Sequence, residues 1–177
     1  MKEGPVHIGP MRRRHLRGVV RIEHDNSSRP WSLGMFLSEL RYRETRRYVV
    51  AQRGGGVIGF GGLMLVGDDA HITNIAVDEA HRRGGVGSRM LLALARAAVD
   101  EGATQMSLEV RVSNKPAQEL YRRFGFAPAG VRKNYYAALA EDALVMWASD
   151  IDTPAYALRL DAIDAELPAD AVVGGVR

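Results

Sequence analysis

The sequence predicts a single α/β domain, and three stretches of it carry that prediction. Met106, Leu108 and Val110 alternate with Ser107, Glu109 and Arg111, the two-residue period of a strand. Ala117, Leu120, Tyr121 and Phe124 follow at i, i+3, i+4 and i+7, the apolar stripe of a helix. Before both, the apolar run Ile72 to Val77 leads through RRGGVG, Arg82 to Gly87, into a helix that carries Met90, Leu91, Leu94, Ala95 and Ala98 on one face. Strand, glycine loop and helix start together form a geometry that binds phosphate. Glycines let backbone N–H groups approach an anion, and the helix N-terminus adds unpaired donors and the positive end of its dipole.

The other elements follow in order. Val6 to Ile8 predicts a short strand and Arg12 to His24 a helix, broken by the polar segment Asp25 to Pro30. Ser32 is placed to cap a second helix running to about Tyr42, with Trp31 as an apolar anchor in the core. Tyr48 to Ala51 and Val57 to Leu65 predict strands joined by the turn Gly54–Gly55–Gly56. Gly67, Asp68 and Asp69 turn the chain into the strand His71 to Val77. The helix after the loop begins near Gly87 and ends near Glu101, with Gly102 just past its end. Ser113 or Asn114 caps the next helix, which Gly125 stops. Phe126 to Tyr136, interrupted by Pro128 and Gly130, and Ala143 to Ala148 close the domain as a strand pair. Residues 1–150 are thus expected to form the domain. Residues 151–177, punctuated by Pro154 and Pro168, are expected to form a mobile acidic tail, in which Leu158, Leu160, Ile163 and Leu167 could make a short amphipathic turn.

The chain of 177 residues is long enough for one real core. With no cysteine it has no disulfide, thiolate metal site or cysteine nucleophile, which is compatible with a reducing cytoplasm. His7, His15, His24, His71 and His81 show no metal-ligand spacing, and no metal is expected. No apolar run reaches the roughly 20 residues that span a bilayer, and the N-terminus shows no signal-peptide pattern, so no membrane association is expected. Six acids and two arginines lie from Asp150 onward, against a net charge of +3 for the whole chain. The basic body suggests an anionic ligand, although a solvated arginine surface explains charge alone equally well. Arg12, Arg13, Arg14 and Arg17 share a helical pattern with Leu16, Val19, Val20 and Ile22. They are expected on that helix's wet face, with no direct nucleic-acid binding.

The loop is neither a Walker A motif, since Ser88 and Arg89 follow Gly87 where lysine is needed, nor a dinucleotide fingerprint, since the third glycine is missing. A pyrophosphate could rest on the backbone from Arg83 to Ser88, with Arg82 or Arg83 supplying charge.

In this order, the strand Asn74 to Val77, RRGGVG, a helix, the strand Leu108 to Arg111, then Asn114 and Tyr121 resemble the GNAT acetyltransferases. Within them, Pro30–Trp31–Ser32, IAVDEAHRRGGVG (Ile75 to Gly87), LEVRVSN (Leu108 to Asn114), ELYRRFGF (Glu119 to Phe126), VRKNYY (Val131 to Tyr136) and EDALVM (Glu141 to Met146) resemble the RimI-type ribosomal-protein-alanine N-acetyltransferases. The resemblance covers about Ile8 to Trp147. It implies a mixed, mostly antiparallel central sheet flanked by helices. It also implies acetyl-coenzyme A as co-substrate, held by Ile75, Ala76, Val77, Arg82, Arg83, Gly84, Gly85, Val86, Gly87, Ser88 and Asn114. The implied acceptor is the N-terminal amine of a protein, the alanine of the eighteenth small-subunit ribosomal protein, attacked directly in a ternary complex.

The resemblance also assigns roles. Glu109 is implied as general base, where the residue by itself reads as a surface carboxylate paired with Arg111 or another cation. Tyr121 is implied as the acid that protonates the departing thiolate; by itself it reads as a core tyrosine. Asn114 reads as helix cap or coenzyme contact, and Tyr135 and Tyr136 as strand packing or the peptide-side wall. A backbone N–H of Ile75 to Val77 is expected to meet the oxyanion. An α-amine with pKa near 8 is about one-tenth neutral at pH 7, whereas a lysine is neutral to a few parts in ten thousand, so the α-amine demands less of a base. Rival readings are lysine or small-molecule acetylation on the same fold, and an acyl-coenzyme A-binding module without turnover. Two departures stand out: Ala137 follows the tyrosine pair where the family often has proline, and the chain continues for nearly thirty residues beyond the last strand.

Overall fold

Strand periodicity builds one eight-stranded sheet in the computed structural model, which describes residues 4–176. The strands are β1 (Val6–Pro10), β2 (Arg46–Arg53), β3 (Gly56–Val66), β4 (Asp69–Val77), β5 (Gln105–Arg111), β6 (Ala127–Tyr136), β7 (Glu141–Ser149) and β8 (Ala171–Val173). They lie in the order β6-β7-β5-β4-β3-β2-β1-β8. The pairs β4–β5 and β1–β8 are parallel and the others antiparallel. The helices are α1 (Leu16–Asn26), α2 (Leu33–Glu39), α3 (Val86–Asp100), α4 (Lys115–Arg123) and α5 (Pro154–Glu166).

Alternation along β2 shows how the sheet is covered on both faces. Val49 and Ala51 join a core with Met90, Leu91 and Leu94 of α3, while Tyr48 and Val50 join a second core with Leu16, Val19 and Ile22 of α1 and Phe36 of α2. Helix α3 lies close on β3 because a side chain is missing there: a Cβ at Gly59 would stand 3.0 Å from the Met90 Cε.

The predicted elements are found with shifted ends. The helix expected from Arg12 divides into a 3-10 turn, Arg13–His15, and α1, with the Arg12 N–H bonded to His15 Nδ1 at 3.0 Å. Ser32 caps α2, its Oγ accepting from Met35 N at 3.3 Å. That helix stops at Glu39 rather than Tyr42 because the chain tightens into i→i+3 bonds, Arg41 to Ser38 and Tyr42 to Glu39. Strand β6 loses register at Pro128–Gly130 and again before Tyr136, where its sequence is interrupted.

One feature of the sheet creates the site. Strands β4 and β5 pair only at Asp69–Gln105, Ala70–Met106 and His71–Ser107. Beyond that point they diverge, and β4 from Ile72 to Val77 has no strand neighbour on its β5 side.

The mobile tail expected over 151–177 is not what the structure shows. Residues Pro154–Glu166 form α5, capped by Thr153, and Tyr156, Leu160 and Ile163 are buried in the α3-side core. Arg96 of α3 bonds Asp161 and Asp164, and the Tyr156 hydroxyl donates to the Phe124 carbonyl at 2.9 Å. Ala171–Val173 then adds to the sheet beside β1, with Val6 N donating to Asp170 O and Gly174 N to Ile8 O. The acids that made the segment look solvated pair with the basic body, and three apolar residues at i, i+4 and i+7 outweigh its polar composition.

Candidate active site

The divergence of β4 and β5 opens a cavity of about 530 Å³. Its walls are Ile72 to Ala76 of β4, Leu108 to Arg111 of β5, Asn114 and Tyr121 of α4, Tyr135 and Tyr136 of β6, and the chain from Glu23 to Trp31 at the end of α1. A larger cleft of about 840 Å³, with Arg13, Arg41 and Arg46 among its walls, lies where β1 ends and β2 begins. It contains neither the diverging strands nor the glycine loop.

At the mouth of the diverging strands, β4 leads into the loop. Gly85 is the N-cap of α3 at φ +78°, and no side chain caps the helix. The first bond into the cap residue comes from Arg89 N, so the amides of Val86, Gly87 and Ser88 are free for an anion. Arg83 also has positive φ, +62°, and is exposed beside them with Gly84. Arg82 is tied down instead: its Nε donates to Val77 O at 3.3 Å and its Nη2 to Asn26 Oδ1 at 2.7 Å. The loop backbone, the Arg83 cation and the open edge of Ile75 to Val77 fit a diphosphate followed by an extended amide chain.

Glu109 lies on the floor of the cavity with 11% of its side chain exposed. The alternation of β5 turns it to the face opposite Leu108 and Val110. Its partner is not Arg111. His71 Nε2 donates to Oε2 at 3.0 Å, and Arg132 Nη2 stands 3.5 Å from Oε1. The His71 hydrogen bond, opposed by burial and helped by the charge of Arg132, holds the Glu109 carboxyl below the usual carboxylate range.

Tyr121 is buried on the stripe of α4, its ring 5.9 Å from Phe126, and it lines the cavity. Burial pushes its phenol up to about 12. Asn114 is the helix cap, its Oδ1 accepting from Ala117 N at 3.2 Å. Ser113 does not share that work; its N–H goes to Glu141 Oε1 at 2.8 Å. Tyr135 and Tyr136 meet edge to face at 5.2 Å, and the Tyr136 hydroxyl donates to Glu109 O at 3.5 Å. Burial, then the neighbouring Tyr135 and Glu109, push Tyr136 up to about 12. Ala137, at the position where proline was expected, begins a short 3-10 turn. Trp31 packs tilted against Phe36, ring centroids 5.4 Å apart, as the expected core anchor, and it also walls the cavity.

Two residues escaped the sequence reading. Glu23 is buried, lines the cavity and accepts from Trp31 N at 3.1 Å; burial raises its carboxyl. Its signal was an acid at i+7 from Leu16 on the apolar face of α1. His71 carried no local signal, because only pairing of β4 with β5 brings it to Glu109.

Comparison with known proteins agrees with this geometry. The profile described as "Acetyltransferase (GNAT) family" matches residues 16–126. A Bacillus subtilis (strain 168) protein, provisionally named a ribosomal protein bS18-alanine N-acetyltransferase, is 40% identical over 137 residues, 77% of this chain and 91% of that one. The ribosomal protein bS18-alanine N-acetyltransferase of Escherichia coli (strain K12) is 35% identical over 135 residues, 74% of this chain and 88% of its own. The crystal structure of the ribosomal-protein-S18-alanine N-acetyltransferase from Escherichia coli superposes with a TM-score of 0.74 at 31% identity, covering 82% of this chain and 94% of that one. The chain belongs to the GNAT acetyltransferase family, and it is an N-acetyltransferase that uses acetyl-coenzyme A.

Proposed function

We propose that this enzyme acetylates the N-terminal α-amine of a protein, by direct attack in a ternary complex, and that the acceptor is the N-terminal alanine of ribosomal protein bS18, the substrate in the names of its relatives. The reaction would take place in the cytoplasm. The observation that carries the reading is that a carboxylate and a phenol wall one cavity, and that the carboxylate is held weakly basic by His71. A weak base suits an amine already about one-tenth neutral at pH 7 and suits a lysine poorly.

Acetyl-coenzyme A supplies, when bound, an acyl carbon already activated as a thioester. The amides of Val86, Gly87 and Ser88 hold its pyrophosphate, with Arg82, Arg83, Gly84 and Gly85 shaping the loop, and Ile75, Ala76 and Val77 offer their open edge to its amide arm. The Asn114 amide nitrogen remains for the same ligand, since capping occupies only its oxygen. Glu109 takes the proton of the incoming amine, directly or through water. Tyr121, protonated at neutral pH, donates to the leaving sulfur and is reprotonated from solvent. Tyr135, Tyr136 and Glu23 form the peptide side.

The test is mass spectrometry of peptides beginning with alanine and carrying an internal lysine, incubated with enzyme and acetyl-coenzyme A. Acetate is expected on the α-amine. Acetate found only on internal lysines overturns the acceptor, and absence of thiol release overturns turnover itself.

A further inference from the structure

Ser107, His71 and Glu109 form a chain of side chains at the point where β4 and β5 part. His71 and Ser107 are the last paired residues of the two strands. His71 Nδ1 lies 2.9 Å from Ser107 Oγ, and Nε2 lies 3.0 Å from Glu109 Oε2. The imidazole is therefore bonded at both nitrogens, with 27% of its side chain exposed. A neutral imidazole donates from only one nitrogen. Next to a carboxylate that nitrogen is Nε2, which leaves Nδ1 to accept from the Ser107 hydroxyl.

We propose that His71 is a positioning residue for the proton-accepting carboxylate: Ser107 fixes its Nε2–H tautomer, and that N–H holds Glu109 Oε2, leaving Oε1, which Arg132 approaches only to 3.5 Å, as the oxygen that takes the amine proton. This rests on Glu109 as the group that receives the amine proton. The other groups that meet the pair are Arg132 and Tyr136 on β6; across β3 the register neighbour is the neutral Met64. Asp69, on the same strand as His71, is bonded to Gln105.

Three variants and one spectrum test this. In the ligand-free protein at pH 8, long-range proton–nitrogen-15 spectra should show His71 in the Nε2–H form; a predominant Nδ1–H form overturns the proposal. His71→Ala should lower kcat about tenfold at pH 8 with an unchanged KM for acetyl-coenzyme A, and His71→Gln, which still donates to Glu109, should recover most of that loss. Wild-type kcat in His71→Ala overturns the role. So does an equal loss in Ala and Gln with a raised KM for acetyl-coenzyme A, the mark of a merely structural contact. Glu109→Gln separates the two layers: full activity there removes the base assignment on which the proposal rests, whereas an inactive Glu109→Gln beside an unaffected His71→Ala rejects His71 alone.

Discussion

Arg89 of α3, one turn behind the glycine loop, is buried and bonded at 2.8 Å to Asp170 in the C-terminal segment. The same guanidinium donates to Pro168 O, and Asp170 also meets Arg53 of β2 at 3.3 Å. Asp170 thus joins the helix that begins at the glycine loop to the sheet. Arg89 Nε is already buried without a partner, so loss of Asp170 leaves a cation with little compensation. Asp170 is partly exposed, which tempers the effect. Asp170→Ala is expected to cost about 1–2 kcal/mol, seen as a thermal midpoint lower by roughly 2–4 °C per kcal/mol. An unchanged midpoint would show that the contact contributes nothing.

The burial of α5 makes a second stability prediction. Leu160 is only 3% exposed within the α3-side core. Leu160→Ala should destabilise by about 2–5 kcal/mol through lost contacts and a residual cavity. Urea unfolding should show a lower midpoint with an unchanged slope. A tail that only samples the surface would leave the midpoint where it was.

At the loop, Gly85 stands at φ +78°, and a Cβ there would lie 3.4 Å from Leu167 Cδ2 and 3.8 Å from Pro168 Cδ. A side chain costs roughly 1–2 kcal/mol in this conformation, and a carboxylate also repels a pyrophosphate. Gly85→Glu is expected to abolish the heat of coenzyme A binding in calorimetry. Affinity equal to wild type would remove the loop from the coenzyme site.

Tyr121→Phe should reduce thiol release by at least tenfold in the presence of an acceptor peptide. Its stability should change little, because burial, rather than any hydrogen bond, dominates the environment of its hydroxyl. Turnover equal to wild type would leave Tyr121 as a core residue.

Glu109 should leave a signature in stability as well as in rate. Its carboxyl is depressed in the folded protein from an unfolded value of 4.5. The folded state therefore binds its proton less readily than the unfolded state does. The resulting stabilisation is fully present above pH 4.5 and is lost as pH falls through the depressed folded value. Glu109→Gln should then be less stable than wild type at pH 7, with the difference shrinking below about pH 4.5. A difference constant with pH would mean that His71 does not hold the ionised form.

Much of the fold, the glycine loop at the start of α3 included, was legible in the chain because local physics decides it. Period-2 alternation in Gln105–Arg111, the i, i+3, i+4, i+7 stripe of α4 and the glycines at the start of α3 each act within a few residues, and Ser32 and Asn114 cap the helices they precede. Element ends were blurred where 3-10 bonds compete with the α-helix, as at Arg41 and Tyr42. What only tertiary structure decided depends on contacts distant in sequence. Which side chain faces Glu109 was settled by the pairing of β4 with β5, which brings His71 rather than Arg111 to it. The buried acid Glu23 became part of the cavity only when α1 packed over the diverging strands. The acidic segment after Asp150 read as solvated because its composition is polar. Arg53, Arg89 and Arg96, far away in the chain, neutralise Asp170, Asp161 and Asp164 and let its few apolar residues enter the core. Charge compensation and strand pairing are sums over partners that the order of residues alone does not name.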